Sequence, residues 1–190
     1  MRLKILWLLL LFSVYGIAQD SKEQKLKNYN IPLRTLLQEQ HLPENRLNII
    51  IDKSDYKLSV ICDGLVLKEY PVVFGGNPID DKLRQGDECT PEGNFKMRSK
   101  YPHKSWSKFI WIDYPNEASW KKHNNAKQTG KIPRNAKIGG EIGIHGVPDN
   151  ADWLIDLRKN WTLGCISLKN KDINEIYPIF SKNTEIIIRK

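Results

Sequence analysis

His145 and Cys165 are the residue types from which a nucleophilic site is built, and both sit on short apolar segments. Ile142-Gly143-Ile144-His145-Gly146 reads as a buried strand ending in glycine, and Cys165-Ile166-Ser167-Leu168 as a second strand entered through Gly164. A free thiol has a pKa of about 8.5, so a cysteine that attacks at neutral pH needs a base or a positive charge beside it. His145 is the base this sequence offers. Gly164 meets a second requirement of acyl chemistry, because a residue without a side chain lets backbone N–H groups approach a developing oxyanion. The amides of Gly164 and Cys165 are the expected oxyanion hole. The Gly146 carbonyl is expected to hold the other imidazole nitrogen, which fixes the tautomer whose lone pair faces sulfur.

The elements that must position these groups are mostly strands. Leu47 to Ile51, Lys57 to Cys62 and Leu65 to Phe74 are rich in β-branched and apolar residues, and Asp63-Gly64 is a hairpin turn between the last two. Phe95 to Arg98, Phe109 to Asp113, Ile142 to His145, Cys165 to Leu168 and Glu185 to Ile188 continue the series. Helical spacing predicts three short helices: Pro32 to Gln40, Asn150 to Arg158 with Trp153, Leu154 and Leu157 on one face, and Asp172 to Phe180 with Asp172 as cap. Lys100 to Lys137 is the least regular stretch. Its Trp106, Trp111 and Trp120 lie among lysines and read either as a solvated loop or as part of a substrate groove. The expected fold class is mainly β, with short peripheral helices.

Upstream lies a delivery signal. Arg2 and Lys4 form a positive start, Ile5 to Ile17 is apolar, and Gly16-Ile17-Ala18 offers a small-residue cleavage site. Residues 1–18 are therefore expected to be a signal peptide, 19–46 a polar helical or linker segment, and 47–190 a single catalytic domain. Export to the periplasm or exterior is the expected localisation, with no stable membrane span once the signal is cleaved. The net charge of +8 suits an anionic polymer, and export favours the cell wall over nucleic acid. Cys62 and Cys89 either pair as a disulfide or remain buried thiols. No Cys-x-x-Cys or His-Glu-x-x-His is present, so neither a metal nor another cofactor is expected.

Four ordered motifs resemble the catalytic domain of the L,D-transpeptidases, cysteine enzymes of the bacterial cell wall. Sixteen residues separate His145 from Thr162-Leu163-Gly164-Cys165, within the family's spacing. Thr90-Pro91-Glu92-Gly93-Asn94-Phe95 resembles its Thr-Pro-x-Gly-x-Phe segment. Tyr114-Pro115-Asn116 and Gly139-Gly140 before Ile144-His145-Gly146 resemble the branch that carries a Trp-Thr-x-Gly-Cys-Ile motif. The chain departs from the common pattern at Leu163, where histidine is usual, and at Ser167, where many members carry arginine.

The resemblance implies a β-sandwich-like core with the cysteine at the mouth of a groove. It also implies an acyltransferase acting on peptidoglycan stem peptides. Cys165 would form a thioester at the L-centre of the third residue, commonly diaminopimelate, and pass it to an amine of another stem peptide, a free D-amino acid or a wall-anchored protein. A hydrolase of the same class and a non-catalytic wall-binding module are the alternatives. Thr162, Tyr114, Arg134 and Trp161 are the expected substrate contacts. Arg98, Lys100, Arg134, Arg158 and Lys159 compete as a carboxylate clamp.

Overall fold

Alternating burial builds the first strand, in which Leu47, Ile49 and Ile51 point into the core and the residues between them do not. The computed structural model describes residues 25–190, so the expected signal peptide and residues 19–24 lie outside the described residues. The strands are β1 (Leu47–Asp52), β2 (Lys57–Cys62), β3 (Leu65–Pro71), β4 (Gly93–His103), β5 (Ser107–Ile112), β6 (Gly143–His145), β7 (Ile166–Ser167) and β8 (Glu185–Arg189). They form one sheet in the order β3-β2-β1-β8-β4-β5-β6-β7. Asp63 and Gly64, at φ 48° and 82°, make the tight turn between β2 and β3.

The long β4 belongs to both halves of this sheet. Its residues Gly93 to Lys96 pair with β8, and Met97 to His103 pair with β5. Beyond β3 the chain crosses to the far edge, where Val73 bridges Ser167 of β7 through bonds of 3.0 and 2.9 Å. The two ends of the sheet therefore meet. One apolar cluster fills the space between the halves, joining Ile49, Val60 and Leu67 of one to Ile110, Ile144 and Ile166 of the other. Each such fully buried side chain contributes about 1.5–3 kcal/mol. The architecture is mainly β with few short helices, as the pattern predicts.

The helices are α1 (Leu33–Glu39), α2 (Glu117–Gln128), α3 (Trp153–Asp156) and α4 (Asn170–Ile176). Leu33, Leu36 and Leu37 of α1 are buried, and polar bonds strap the segment to the sheet and to α4. Lys68 Nζ donates to the Ile31 carbonyl at 2.6 Å and pairs with Glu175 at 2.8 Å, while Tyr29 Oη donates to Asp172 at 2.9 Å. The predicted helix at 150–158 shrinks to α3, bounded by Asn150 and Arg158 at positive φ. Leu154 and Ile155 are its buried residues, whereas Trp153 and Leu157 are exposed. Asp172 is no cap. It lies inside α4, which begins at Asn170, and Pro178 marks the tighter turn that follows.

Residues 100–137 are far more regular than their sequence suggests. They complete β4 and β5 and add α2, whose start is capped by Asn116 accepting from the Ser119 N–H at 3.1 Å. Cys62 and Cys89 are buried free thiols rather than a disulfide. Among the described residues no helix is long and apolar enough to cross a membrane.

Candidate active site

The parallel register of β6 and β7 sets the site. Ile144 pairs with Ile166 and His145 with Ser167. Side chains alternate along strands, so Ile144 and Ile166 enter the core while His145, Ser167 and the preceding Cys165 share the opposite face. Cys165 and His145 both line a cavity of about 910 Å³.

His145 is nearly fully enclosed. Its Nδ1 lies 2.7 Å from the Gly146 carbonyl, which can only accept, so Nδ1 carries the proton and Nε2 holds the lone pair. The imidazole stacks on Trp106 at 4.5 Å, lies parallel to Phe109 at 5.6 Å and meets Trp161 edge-on at 5.6 Å. Burial pushes its pKa down to about 4, against the upward pull of the Gly146 bond. His145 is thus a neutral base over the physiological range.

Cys165 is held as a neutral thiol as well. Its Sγ donates to the Glu141 carbonyl at 3.5 Å. Burial pushes the thiol up to about 11, outweighing the lowering bond from the Gly143 N–H and the field of Lys82. The resting pair is therefore thiol and imidazole, not the thiolate that a freely reactive cysteine would present.

The loop before the cysteine is braced from within. Thr162 Oγ1 donates to the Cys165 carbonyl at 2.7 Å and accepts from the Gly164 N–H at 3.2 Å. Its hydroxyl organises the turn, and Thr162 also lines the cavity. The Gly164 amide, expected in the oxyanion hole, is engaged by that hydroxyl, and among the described residues no partner engages the Cys165 N–H. Gly164 sits at φ +136°, and a Cβ there would lie 2.6 Å from the Cys89 carbonyl, so glycine is required.

The other expected contacts divide. Trp161 lines the cavity. Tyr114 is core: it is 3% exposed, packs on Phe95 and directs its hydroxyl to the Ile138 carbonyl at 3.4 Å. Its polar tip is satisfied inside, and it does not line the cavity. Arg134 is exposed and away from the cavity wall. Arg98, Lys100, Arg158 and Lys159 do not line it either. Lys100 instead donates to the carbonyls of Tyr177 and Phe180 at 2.8 and 2.7 Å.

Lys82, Glu88 and Glu141 escaped the sequence reading, whereas the aromatic wall residues lie in the stretch it gave as a possible groove. Trp106, Phe109, Trp111 and Tyr101 supply an aromatic side, and Lys82, Glu88 and Glu141 a charged one. Lys82 is the cation of that wall, and it is paired with Asp87 at 2.8 Å. Trp106 and Phe109 reach the site through the antiparallel pairing of β5 with β6, in which Phe109 faces His145. Nothing in local sequence reveals that register. Leu163, in the place where the family pattern has histidine, is 77% exposed at the cavity rim.

Fold and cavity together define a mainly β protein with a cysteine and a histidine presented to one cleft. Residues 47–188 match the YkuD family model, the L,D-transpeptidase catalytic domain, and the chain belongs to that family. The fold is similar to the helical cell shape determining protein Pgp2 from Campylobacter jejuni, at TM-score 0.56 and 20% identity over 83% of this chain and 55% of that one. It is also similar to Bd1075 of Bdellovibrio bacteriovorus, at TM-score 0.51 and 23% identity over 76% of this chain and 48% of that one. L,D-transpeptidase 3 from Mycobacterium tuberculosis aligns at TM-score 0.50 and 14% identity, over 76% and 61% of the two chains. The chain thus spans about half to three-fifths of the length of these solved proteins. No curated protein matches it.

Proposed function

We propose that the protein is an exported cysteine acyltransferase that remodels peptidoglycan, with Cys165 as nucleophile and His145 as general base and acid. The observation that carries this reading is the imidazole held with its proton on Nδ1, lining the same cavity as the Cys165 thiol. Both groups rest neutral, so the Sγ–H turns from the Glu141 carbonyl and its proton passes to Nε2 as sulfur attacks the stem-peptide carbonyl. The oxyanion that forms is met by the Cys165 N–H, joined by the Gly164 N–H when Thr162 releases it. Collapse breaks the peptide bond, and the departing amine takes its proton from His145. A thioester on Cys165 remains. An acceptor amine then attacks that thioester, His145 receives the amine's proton, and the thiolate released is reprotonated from His145.

The aromatic wall of Trp106, Phe109, Trp111 and Trp161 supports transfer over hydrolysis, because apolar surface beside a thioester disfavours water. The donor is proposed to be a stem peptide cut at the L-centre of its third residue. A neighbouring stem peptide, a free D-amino acid or a wall-anchored protein supplies the acceptor amine. Cleavage of residues 1–18 would deliver the chain to the wall.

Mass spectrometry of the protein incubated with disaccharide-tetrapeptide, with and without a free D-amino acid, tests this. A cross-linked or exchanged product is expected, and Cys165→Ala should form neither product nor adduct. Product from that variant would sink the mechanism. Trimmed peptide alone would make water the acceptor, and wall binding without any adduct would leave a binding module.

A further inference from the structure

Ser167 lies where the two ends of the sheet meet, and it is fully buried. Its backbone N–H and carbonyl are both taken by Val73. Its hydroxyl goes elsewhere: Oγ donates to the Gly146 carbonyl at 3.3 Å, the same oxygen that accepts the Nδ1 proton of His145 at 2.7 Å. Gly146 is fixed at its other end too, since its N–H donates to the Trp106 carbonyl at 3.1 Å and the Trp106 ring stacks on His145. There is no slack around it. A Cβ on Gly146 would collide with Asn170 Oδ1 and lie 2.6 Å from the Trp106 carbonyl.

We propose that Ser167 is a positioning residue for His145, acting through the Gly146 carbonyl. A carbonyl oxygen has two lone pairs. One takes the Nδ1 proton, and the second, held by Ser167, stops the carbonyl from swinging away from the imidazole. Ser167 thereby keeps the proton on Nδ1 and the Nε2 lone pair exposed to the cavity. Its catalytic importance rests on the reading of His145 as the base, whereas its hold on the imidazole can be observed without any substrate.

The test uses the whole chain and four variants, Ser167→Ala, Ser167→Thr, Ser167→Val and Cys165→Ala. Long-range proton–nitrogen NMR of the imidazoles reports which ring nitrogen is protonated. The wild-type protein and Ser167→Thr should show His145 protonated on Nδ1 alone, and Ser167→Ala should populate both tautomers. On disaccharide-tetrapeptide, Ser167→Ala should lose about tenfold in kcat with KM unchanged, the mark of a displaced base rather than a damaged binding site. Threonine and valine have the same shape, so comparing them removes any packing defect left by alanine. A wild-type imidazole spectrum, or a wild-type kcat, in both hydroxyl-free variants would overturn the proposal. If the wild-type protein makes no Cys165-dependent product, the catalytic reading fails, and the spectrum alone decides whether Ser167 holds His145.

Discussion

At the scale of single residues, burial separates this site from that of a cysteine activated in advance. The thiol is raised to about 11 and the imidazole lowered to about 4, so neither ionises across the working range. The pH consequence follows directly. A base with a depressed pKa is protonated, and inactive, only in strong acid, and a thiol that loses its proton during attack needs no prior ionisation. Under the proposed mechanism kcat/KM should stay flat from about pH 5 to about pH 9, with an acid limb near the imidazole value. Iodoacetamide labelling of Cys165 in the substrate-free protein should be slow at neutral pH and keep rising above about pH 9. An alkylation midpoint near neutrality would reveal a preformed thiolate and refute this account.

At the scale of elements, the cap on α2 is the clearest single contribution. Asn116 accepts from Ser119 at the helix start and also donates to the Asn94 carbonyl at 2.9 Å, tying α2 to β4. Asn116→Ala should cost about 1 kcal/mol, read as a lowered midpoint in chemical denaturation. This helix also shows where sequence reasoning stops. The strands were legible because Leu47, Ile49 and Ile51 alternate with outward residues, and β2 and β3 are flanked by unmistakable turn chemistry. The buried residues of α2 are Ser119, His123 and Ala126, which carry no apolar period to find. The site divides in the same way. His145, Cys165 and Gly164 announce themselves by type and spacing, whereas Phe109 meets His145 through the β5–β6 register, and Lys82 enters the cavity from a loop remote in sequence, as only folding arranges. Tyr114 misleads for the opposite reason, since a polar tip in a motif reads as a contact until its hydroxyl is seen bonded to a core carbonyl.

At the scale of the whole molecule, the N-terminal strap is held by charged groups that have left water. Asp172 accepts the Tyr29 hydroxyl from inside α4, and burial pushes its carboxyl up to about 6. A carboxyl whose folded pKa lies above its unfolded value binds more protons in the folded state between those two values. Stability therefore falls as pH rises from about 4 to about 6, and the deficit persists at neutral pH. Asp172→Asn keeps an acceptor for Tyr29 and removes the buried charge. Its Tm should exceed that of the wild-type protein by a few degrees near pH 7.5 and match it near pH 4. Equal midpoints at both pH values would show that the carboxylate is not a burden in the folded state.

The contact between Val73 and Ser167 has a kinetic meaning as well as an architectural one. It joins the segment just beyond β3 to β7 across almost half the sequence, and closing so long a loop costs entropy that nearer pairings must first offset. The surroundings of His145 and Cys165 should accordingly assemble after the local hairpins β2–β3 and β4–β5. Protection of Cys165 against a small thiol reagent, followed during refolding, would then mark the moment at which β7 meets the segment beyond β3.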